Sequence, residues 1–289
     1  MKFDLAEYLT VLSPKDRVGI ERHLLVKKKG LLNKYNMPGT REAYTLFAGT
    51  IVLRDTYKFI KDKIESMLGS VENLTVLDLG IGEGFMWNKI LSSLQPSLRK
   101  RIGIVGIDFS HIALKHLKKN LSGFSLNGLE IIRADMNELD LVKLNLNPDV
   151  VISSLALHHL NMREKVKIIN GIKKSFDTKL MLSEVDFNLE AIEDIRLRNY
   201  AASLLYRDVF DTIRSIESQK NAELILHNFY YDEFLNILKS DNPSLEERYI
   251  PLSEWMNIMR SANIKLTDIR ITLTGINNIY RIGIIEGRT

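Results

Sequence analysis

The chain has 289 residues, 45% hydrophobic and 26% charged, the composition of an ordinary globular protein with one large domain or an elaborated core. It contains no cysteine, which excludes disulfides, thiolate metal sites and cysteine nucleophiles, and no metal site is expected. No apolar run approaches the roughly 18–20 residues of a membrane span, and Met1-Lys2-Phe3-Asp4 lacks the basic region and apolar block of a secretory signal, so a cytoplasmic location is the expectation.

The net charge of +4 is unevenly spread: residues 1–70 carry 13 basic and 8 acidic side chains, a local excess of +5. That excess, which includes Lys27-Lys28-Lys29, could meet phosphate, an acidic lipid or nucleic acid. Cations near the negative end of a helix dipole account for it more simply.

Residues 1–70 read as helical. Phe3 to Leu12 is short and amphipathic, and Ser13-Pro14 offers an N-cap with proline at the first helical position. Asn36-Met37-Pro38-Gly39 reads as a turn, after which Thr40 caps a helix from Arg41 to Leu68. From Leu74 the rhythm changes. Apolar runs at Leu74–Leu79, Ile102–Ile107, Leu129–Ile132, Val150–Ser153 and Leu180–Val185 alternate with helical stretches, among them His111–Leu121 capped by Ser110. A second helix opens on the capping-box pair Asn161 and Glu164. Short apolar runs separated by helices predict a parallel sheet covered on both faces.

After Val185 the strand pattern stops for about 80 residues. Ala191–Ser218 and Asp232–Leu238 read as helices, and Ser253 as the cap of a third that ends near Asn263. Two closing runs, Ile264–Leu273 and Ile279–Ile285, flank a hairpin-like turn and predict an antiparallel end to the sheet. The expected organisation is an N-terminal helical lid or acceptor region over 1–70 and a ligand-binding core over 71–289, interrupted by a helical insertion at about 187–250.

The chemistry gathers at strand ends. Asp78-Leu79-Gly80-Ile81-Gly82-Glu83-Gly84 closes a buried strand with three alternate glycines, a turn whose backbone a ligand can approach closely. Asp108 ends the next strand, where a carboxylate can take both hydroxyls of a ribose, and Asp135 follows the third, within reach of an adenine amino group. Together they outline an adenosine-shaped slot. A dinucleotide fingerprint would read G-x-G-x-x-G; here a carboxylate opens the turn, which repels a pyrophosphate and suits an ammonium-bearing tail.

These segments resemble class I S-adenosylmethionine-dependent methyltransferases of the small-molecule branch. Val76–Gly84 is similar to that family's first motif, Gly106–Ser110 to its second and Ala134–Met136 to its third. Asp149–Leu160, with Ser154-Leu155-Ala156-Leu157-His158-His159, is similar to its fourth strand and the loop after it. Residues 250–264 resemble the late helix and turn before its sixth strand.

The resemblance implies a Rossmann-like α/β fold: a seven-stranded, mostly parallel sheet with helices on both faces, an antiparallel last strand, and N-terminal and inserted helical lids. It also implies that Gly80 and Gly82 lie against the methionine tail of S-adenosylmethionine, with Asp78 anchoring that region and Gly84 part of the same cofactor-binding turn. Asp108 would take the ribose, Phe109 and Met136 the adenine ring, Asp135 its amino group, and Ser154 and Leu155 would border the sulfonium.

A histidine near neutral pKa suits removal of an acceptor proton, which makes His159, and after it His158, the candidate bases. Acceptor contacts are expected outside the shared core, from Tyr44, Tyr200, Tyr206 and Tyr230, with Phe47, Phe210 and Tyr231 as further aromatic candidates. Arg41, Arg207 and Arg214 could meet an acidic acceptor. Residues 153–156, Ser-Ser-Leu-Ala, lack the Asn/Asp-Pro-Pro-aromatic run with which amino-methylating nucleic-acid enzymes hold a flipped base, so nucleic acid is the weaker acceptor class. An enzyme acting on RNA or protein, or a non-catalytic relative that only binds in the slot, is the alternative. The oligomeric state is left open.

Overall fold

In the computed structural model, residues 5–27, 43, 46–47, 51–239 and 247–289 are described. The sheet has seven strands: β1 Leu74–Leu79, β2 Ile102–Asp108, β3 Gly128–Arg133, β4 Val150–Ser154, β5 Lys179–Val185, β6 Lys265–Thr274 and β7 Arg281–Arg288. Their order is β3-β2-β1-β4-β5-β7-β6. Strands β1 to β5 pair in parallel, and β7 runs antiparallel to β5, with Leu182 opposite Ile285. The order reverses at β1, which has β2 on one side and β4 on the other. In open α/β sheets such a switch point leaves a crevice outside the carboxyl ends of the strands.

The chain divides into two compact units. One takes residues 54–185, 251–272 and 282–289. In it α3 (Ile51–Leu68), α4 (Phe85–Ser93) and α6 (His111–Leu121) cover one sheet face, α5 (Pro96–Arg99) being a single turn beside them. Ile60, Ile64, Trp87, Ile90 and Leu117 pack there on Val76, Ile104 and Ile152. On α7 (Met162–Ser175), Ile168, Ile169 and Ile172 are buried, and α11 (Leu252–Ser261) packs against that helix. Ser110 caps α6 by accepting from Ala113 N. Asn161 and Glu164 form the complete capping box of α7.

The other unit takes residues 1–53, 186–250 and 273–281. It contains α1 (Leu5–Leu9), α2 (Pro14–Lys27), α8 (Ile195–Ile216), α9 (Gln219–Ile225) and α10 (Tyr231–Lys239), with a π-helical turn at Leu226–Tyr230 between the last two. Asp16 is buried in a bidentate pair with Arg214 (2.8 and 2.5 Å) and also accepts from Tyr231 Oη (3.0 Å), which binds α2 to α8 and α10. Asp208 on α8 accepts three backbone N–H groups of the closing turn, from Asn277, Ile279 and Tyr280, each at 2.7 Å.

Three local expectations change. The long helix opens at Ile195 because Asp194 accepts from Arg196 N and Leu197 N, so it starts four residues beyond the predicted Ala191. Ser253 does not cap α11. The chain enters from Pro251 in an extended conformation, Ser253 is already helical, and no side chain caps the end. Residues 219–230, left without an element, form α9 and the π turn. The turn at 36–39 and the Thr40 cap lie outside the described residues, although Ala43, Leu46 and Phe47 are helical. Among the described residues no helix is long and apolar enough to cross a membrane.

Replacing Asn161 by Ala removes one partner of the capping box; urea unfolding should show a loss of about 1 kcal/mol. An unchanged midpoint would mean that α7 is held by packing alone.

Candidate functional site

The site starts from the turn after β1. Gly80, Gly82 and Gly84 have φ of +82°, +56° and +73°, left-handed values that a Cβ disfavours. Gly80 has a second reason to lack one: an added Cβ would sit 2.3 Å from the Cβ of Ala156, in the loop after β4. A Cβ on Gly82 would meet nothing within 4 Å, so here the backbone faces open space. The turn is fastened by Gly80 N and Ile81 N donating to Ile107 O, and by Asn120 Nδ2 on α6 donating to Glu83 O.

Asp108 joins β2 to that turn. Its Oδ2 accepts from Gly82 N (3.0 Å) and its Oδ1 from Ser110 N (2.8 Å). Burial pushes its pKa up, while the Ser110 and Gly82 N–H groups oppose the shift. Phe109 next to it is 61% exposed, an apolar ring held at the surface beside the turn's anchor. Met136 reaches the turn as well, its Cε 3.8 Å from where a Cβ of Gly80 would lie. Asp135 is exposed and turns back on its own backbone, accepting from Asn137 N at 2.8 Å.

Asp78 lies deeper than the sequence implies. It is 2% exposed, and its Oδ2 accepts from the indole Nε1 of Trp87 at 2.6 Å. Burial raises its pKa to about 7; the Trp87 bond works against that rise and the negative field of Asp108 adds to it. Trp87 has no signature in the sequence, since an apolar residue in the first turn of α4 reads as core. It is core, with one polar atom that serves the site.

Beyond β4, Ser153 Oγ donates to Leu79 O (2.9 Å), and Leu155 takes a left-handed φ of +51° while its N–H donates to Ser183 O. A leucine in that region is strained, and strain of this kind persists only where the surroundings over-determine it. Ser154 and Leu155 are half-buried.

The surroundings of this loop centre on Glu184, a buried residue near the end of β5. Its Oε1 accepts from Ala156 N (3.2 Å) and Leu157 N (2.8 Å), and its Oε2 lies 2.8 Å from His158 Nδ1. His158 is buried and His159 exposed, their rings tilted against each other with centroids 4.2 Å apart. Glu184 was missed in the sequence. A lone acid in the apolar run Leu180–Val185 was its signal, the same one that marks Asp78.

The aromatic candidates fall apart as a set. Tyr44 and Arg41 lie outside the described residues. Tyr206 and Tyr230 are buried in one aromatic cluster with Phe47, Phe229 and Phe234, and Tyr206 Oη donates to Glu233 at 2.5 Å. Burial, with the charges of Glu233 and Glu247, raises the Tyr206 pKa far above its usual value. Phe210 and Tyr231 pack edge to face and are buried as well. Tyr200 is exposed. Arg214 is committed to Asp16, and Arg207 lies 3.8 Å from Asp211.

A sequence profile described as a methyltransferase domain matches residues 70–242. No curated protein matches the chain. Among solved structures, SCL7 of Oryza sativa is similar over 99% of this chain and 94% of its own, with 14% identity and a TM-score of 0.70. The magnesium protoporphyrin IX methyltransferase ChlM of Synechocystis PCC 6803, with bound SAH, is similar over 95% of this chain and 96% of its own (14%, TM-score 0.50). The CMeT domain of the citrinin polyketide synthase is similar over 88% of this chain and 57% of that one (14%, TM-score 0.55). At such identities the likeness is one of fold.

Asp78 makes stability depend on pH. Unfolded, its carboxyl ionises at the ordinary 3.8; folded, it holds its proton to about 7. The stability carried by the protonated group is therefore full below about pH 4 and is lost as pH rises through 7. Asp78→Asn, whose amide oxygen can still accept from Trp87, should gain on the wild type across that window by about 1.4 kcal/mol per pH unit. Urea midpoints at acid and neutral pH measure it, and an equal difference at both would remove the argument.

Proposed function

The chain belongs to the methyltransferase-domain family and is a class I S-adenosylmethionine-dependent methyltransferase; from that premise we propose that it methylates an oxygen or nitrogen of a small-molecule acceptor. The observation that carries the site assignment is the left-handed glycine turn, open beside Gly82 and anchored by Asp108, with the exposed ring of Phe109 adjoining. An adenosine with an amino-acid tail needs these features: backbone it can approach, a carboxylate for ribose hydroxyls and an apolar surface for the base. Each Asp108 oxygen that accepts one backbone N–H keeps a second lone pair for a hydroxyl. In this reading Gly80 and Gly82 receive the tail, Gly84 completes the turn, Asp78 beneath it anchors that region through Trp87, Met136 and Asp135 border the adenine, and Ser154 and Leu155 the reacting end.

Bound S-adenosylmethionine supplies an electrophilic methyl group, so the protein's task is chiefly alignment. Where the acceptor must lose a proton, His158 is the better-placed base of the two histidines. Facing a carboxylate, its Nδ1 carries the proton, which makes Nε2 the basic nitrogen of the ring. Glu184 thus fixes the ring and its tautomer, and through Ala156 N and Leu157 N it fixes the loop that carries the ring. His159, exposed, lacks that support from Glu184. A small acceptor is favoured by the Ser-Ser-Leu-Ala sequence at 153–156, which offers no clamp for a flipped base. Acceptor recognition is assigned to residues 1–70 and the insertion at 187–250, with Tyr200 an exposed aromatic among the described residues there. A cytoplasmic location belongs to the same reading, supported by the cysteine-free composition.

Calorimetry with S-adenosylmethionine and its demethylated product tests the donor site; absence of binding at millimolar ligand would overturn it. Asp108→Ala should weaken binding of both by about 1–3 kcal/mol. With isotopically labelled methyl donor and a cell metabolite extract, label should enter a small molecule; entry into RNA or protein alone would reverse the acceptor class. On the labelled acceptor, His158→Ala should slow turnover by roughly 10²–10⁴-fold at unchanged donor affinity. Glu184→Gln should lower kcat and distort the pH–rate profile, and a wild-type profile would reduce Glu184 to a loop anchor.

A further inference from the structure

We propose that two copies of this chain join edge to edge along β6, antiparallel and centred on Ile269, so that two seven-stranded sheets continue as one. The sheet order ends at β6, and among the described residues no strand pairs with its outer edge. The strand is ten residues long and contains neither proline nor glycine. Natural sheets commonly blunt an exposed edge with proline, a bulge or short length, because its unpaired N–H and C=O groups template further pairing. Its alternate residues Thr267, Ile269 and Ile271 are exposed, the two isoleucines by 47% and 42%.

The opposite set of side chains is held from within. Lys63 on α3 pairs with Asp268 at 3.1 Å and with Glu286 on β7 at 2.6 Å. The Arg270 guanidinium lies 4.9 Å above the Phe59 ring, and Thr56 and Thr272 share a hydrogen bond of 2.7 Å. These contacts bind β6 to α3, and among the described residues no strand pairs with its outer edge.

Self-complementarity selects a second copy as the occupant, and it selects the register. Antiparallel pairing about Ile269 puts Ile269 opposite its own copy and Thr267 opposite Ile271. On the other face Asp268 stands opposite Arg270 twice, once on each side of the twofold axis. Centring on Asp268 or on Arg270 would instead set like charges against each other, which cross-strand pairs resist. A shift of two residues keeps the faces but breaks both charge pairs. The result is an isologous contact, closed at two copies.

The absence of cysteine makes the register directly readable. Directly opposite residues have Cβ atoms roughly 4.5–5.5 Å apart, within reach of a disulfide after small adjustment. Ile269→Cys in the full chain should form a covalent dimer under mild oxidation, whereas Thr267→Cys alone should not, because its copy lies four residues away along the strand. Thr267→Cys combined with Ile271→Cys should cross-link again. In sedimentation velocity the wild type should show twice the chain mass and Ile269→Lys the single mass, with circular dichroism unchanged. A wild-type monomer at high micromolar concentration overturns the proposal. So does a dimer that survives Ile269→Lys, or cross-linking by Thr267→Cys as readily as by Ile269→Cys. None of these readouts depends on methyl transfer.

Discussion

The carboxylate of Asp108 accepts from backbone N–H groups through both of its oxygens. By accepting from Gly82 N and Ser110 N it ties the turn after β1 to the start of α6. Without such a partner, nothing would fix the direction of the N–H of Gly82, whose φ is +56°. The glycines allow the turn its shape, and the aspartate chooses among the shapes they allow. Everything assigned to donor recognition sits within three residues of this joint or of the strand ends beside it.

The same device recurs at two other strand ends. Asp78 near the end of β1 holds the Trp87 indole, and Glu184 near the end of β5 holds two backbone N–H groups and a histidine. Burying a carboxylate is costly unless its hydrogen bonds are supplied, and the loops and the first turn of α4 at this end of the sheet supply them. The electrostatic consequences differ. Asp78, with one indole bond and the field of Asp108 nearby, keeps its proton to about pH 7. Asp108 and Glu184 thus each set the position of a loop, and Asp78 that of the first turn of α4, before any ligand arrives.

Much of this was legible in the sequence because it is written in local terms. The runs from Leu74 to Val185, the Ser110 cap and the Asn161–Glu164 box fix strands and helices by short-range chemistry, and the family's motifs fall on the strand ends so placed. Other features depend on partners remote in the chain. Trp87 and Leu91 are equally apolar on α4, and only the fold puts the indole N–H of one against Asp78. Tyr206 and Tyr230 have the composition of a binding surface, yet their rings are consumed by an aromatic core whose members come from three segments. Asp194 displaced the predicted helix start, since a cap acts through geometry that several nearby polar residues could satisfy. Glu184 was visible as an anomaly in an apolar strand, and its meaning came only with His158.

The contact between Gly80 and Ala156 has a consequence of its own. Because the methyl group of Ala156 fills the volume that a side chain on Gly80 would need, the loops after β1 and β4 are geared together. A displacement of one must be answered by the other. The turn assigned to the donor and the segment that leads into His158 therefore move as a single mechanical part. Residues 80 and 156 share one fixed volume between them, so a gain at either position has to be matched by a loss at the other, and at these two positions both residues are already close to the smallest they can be.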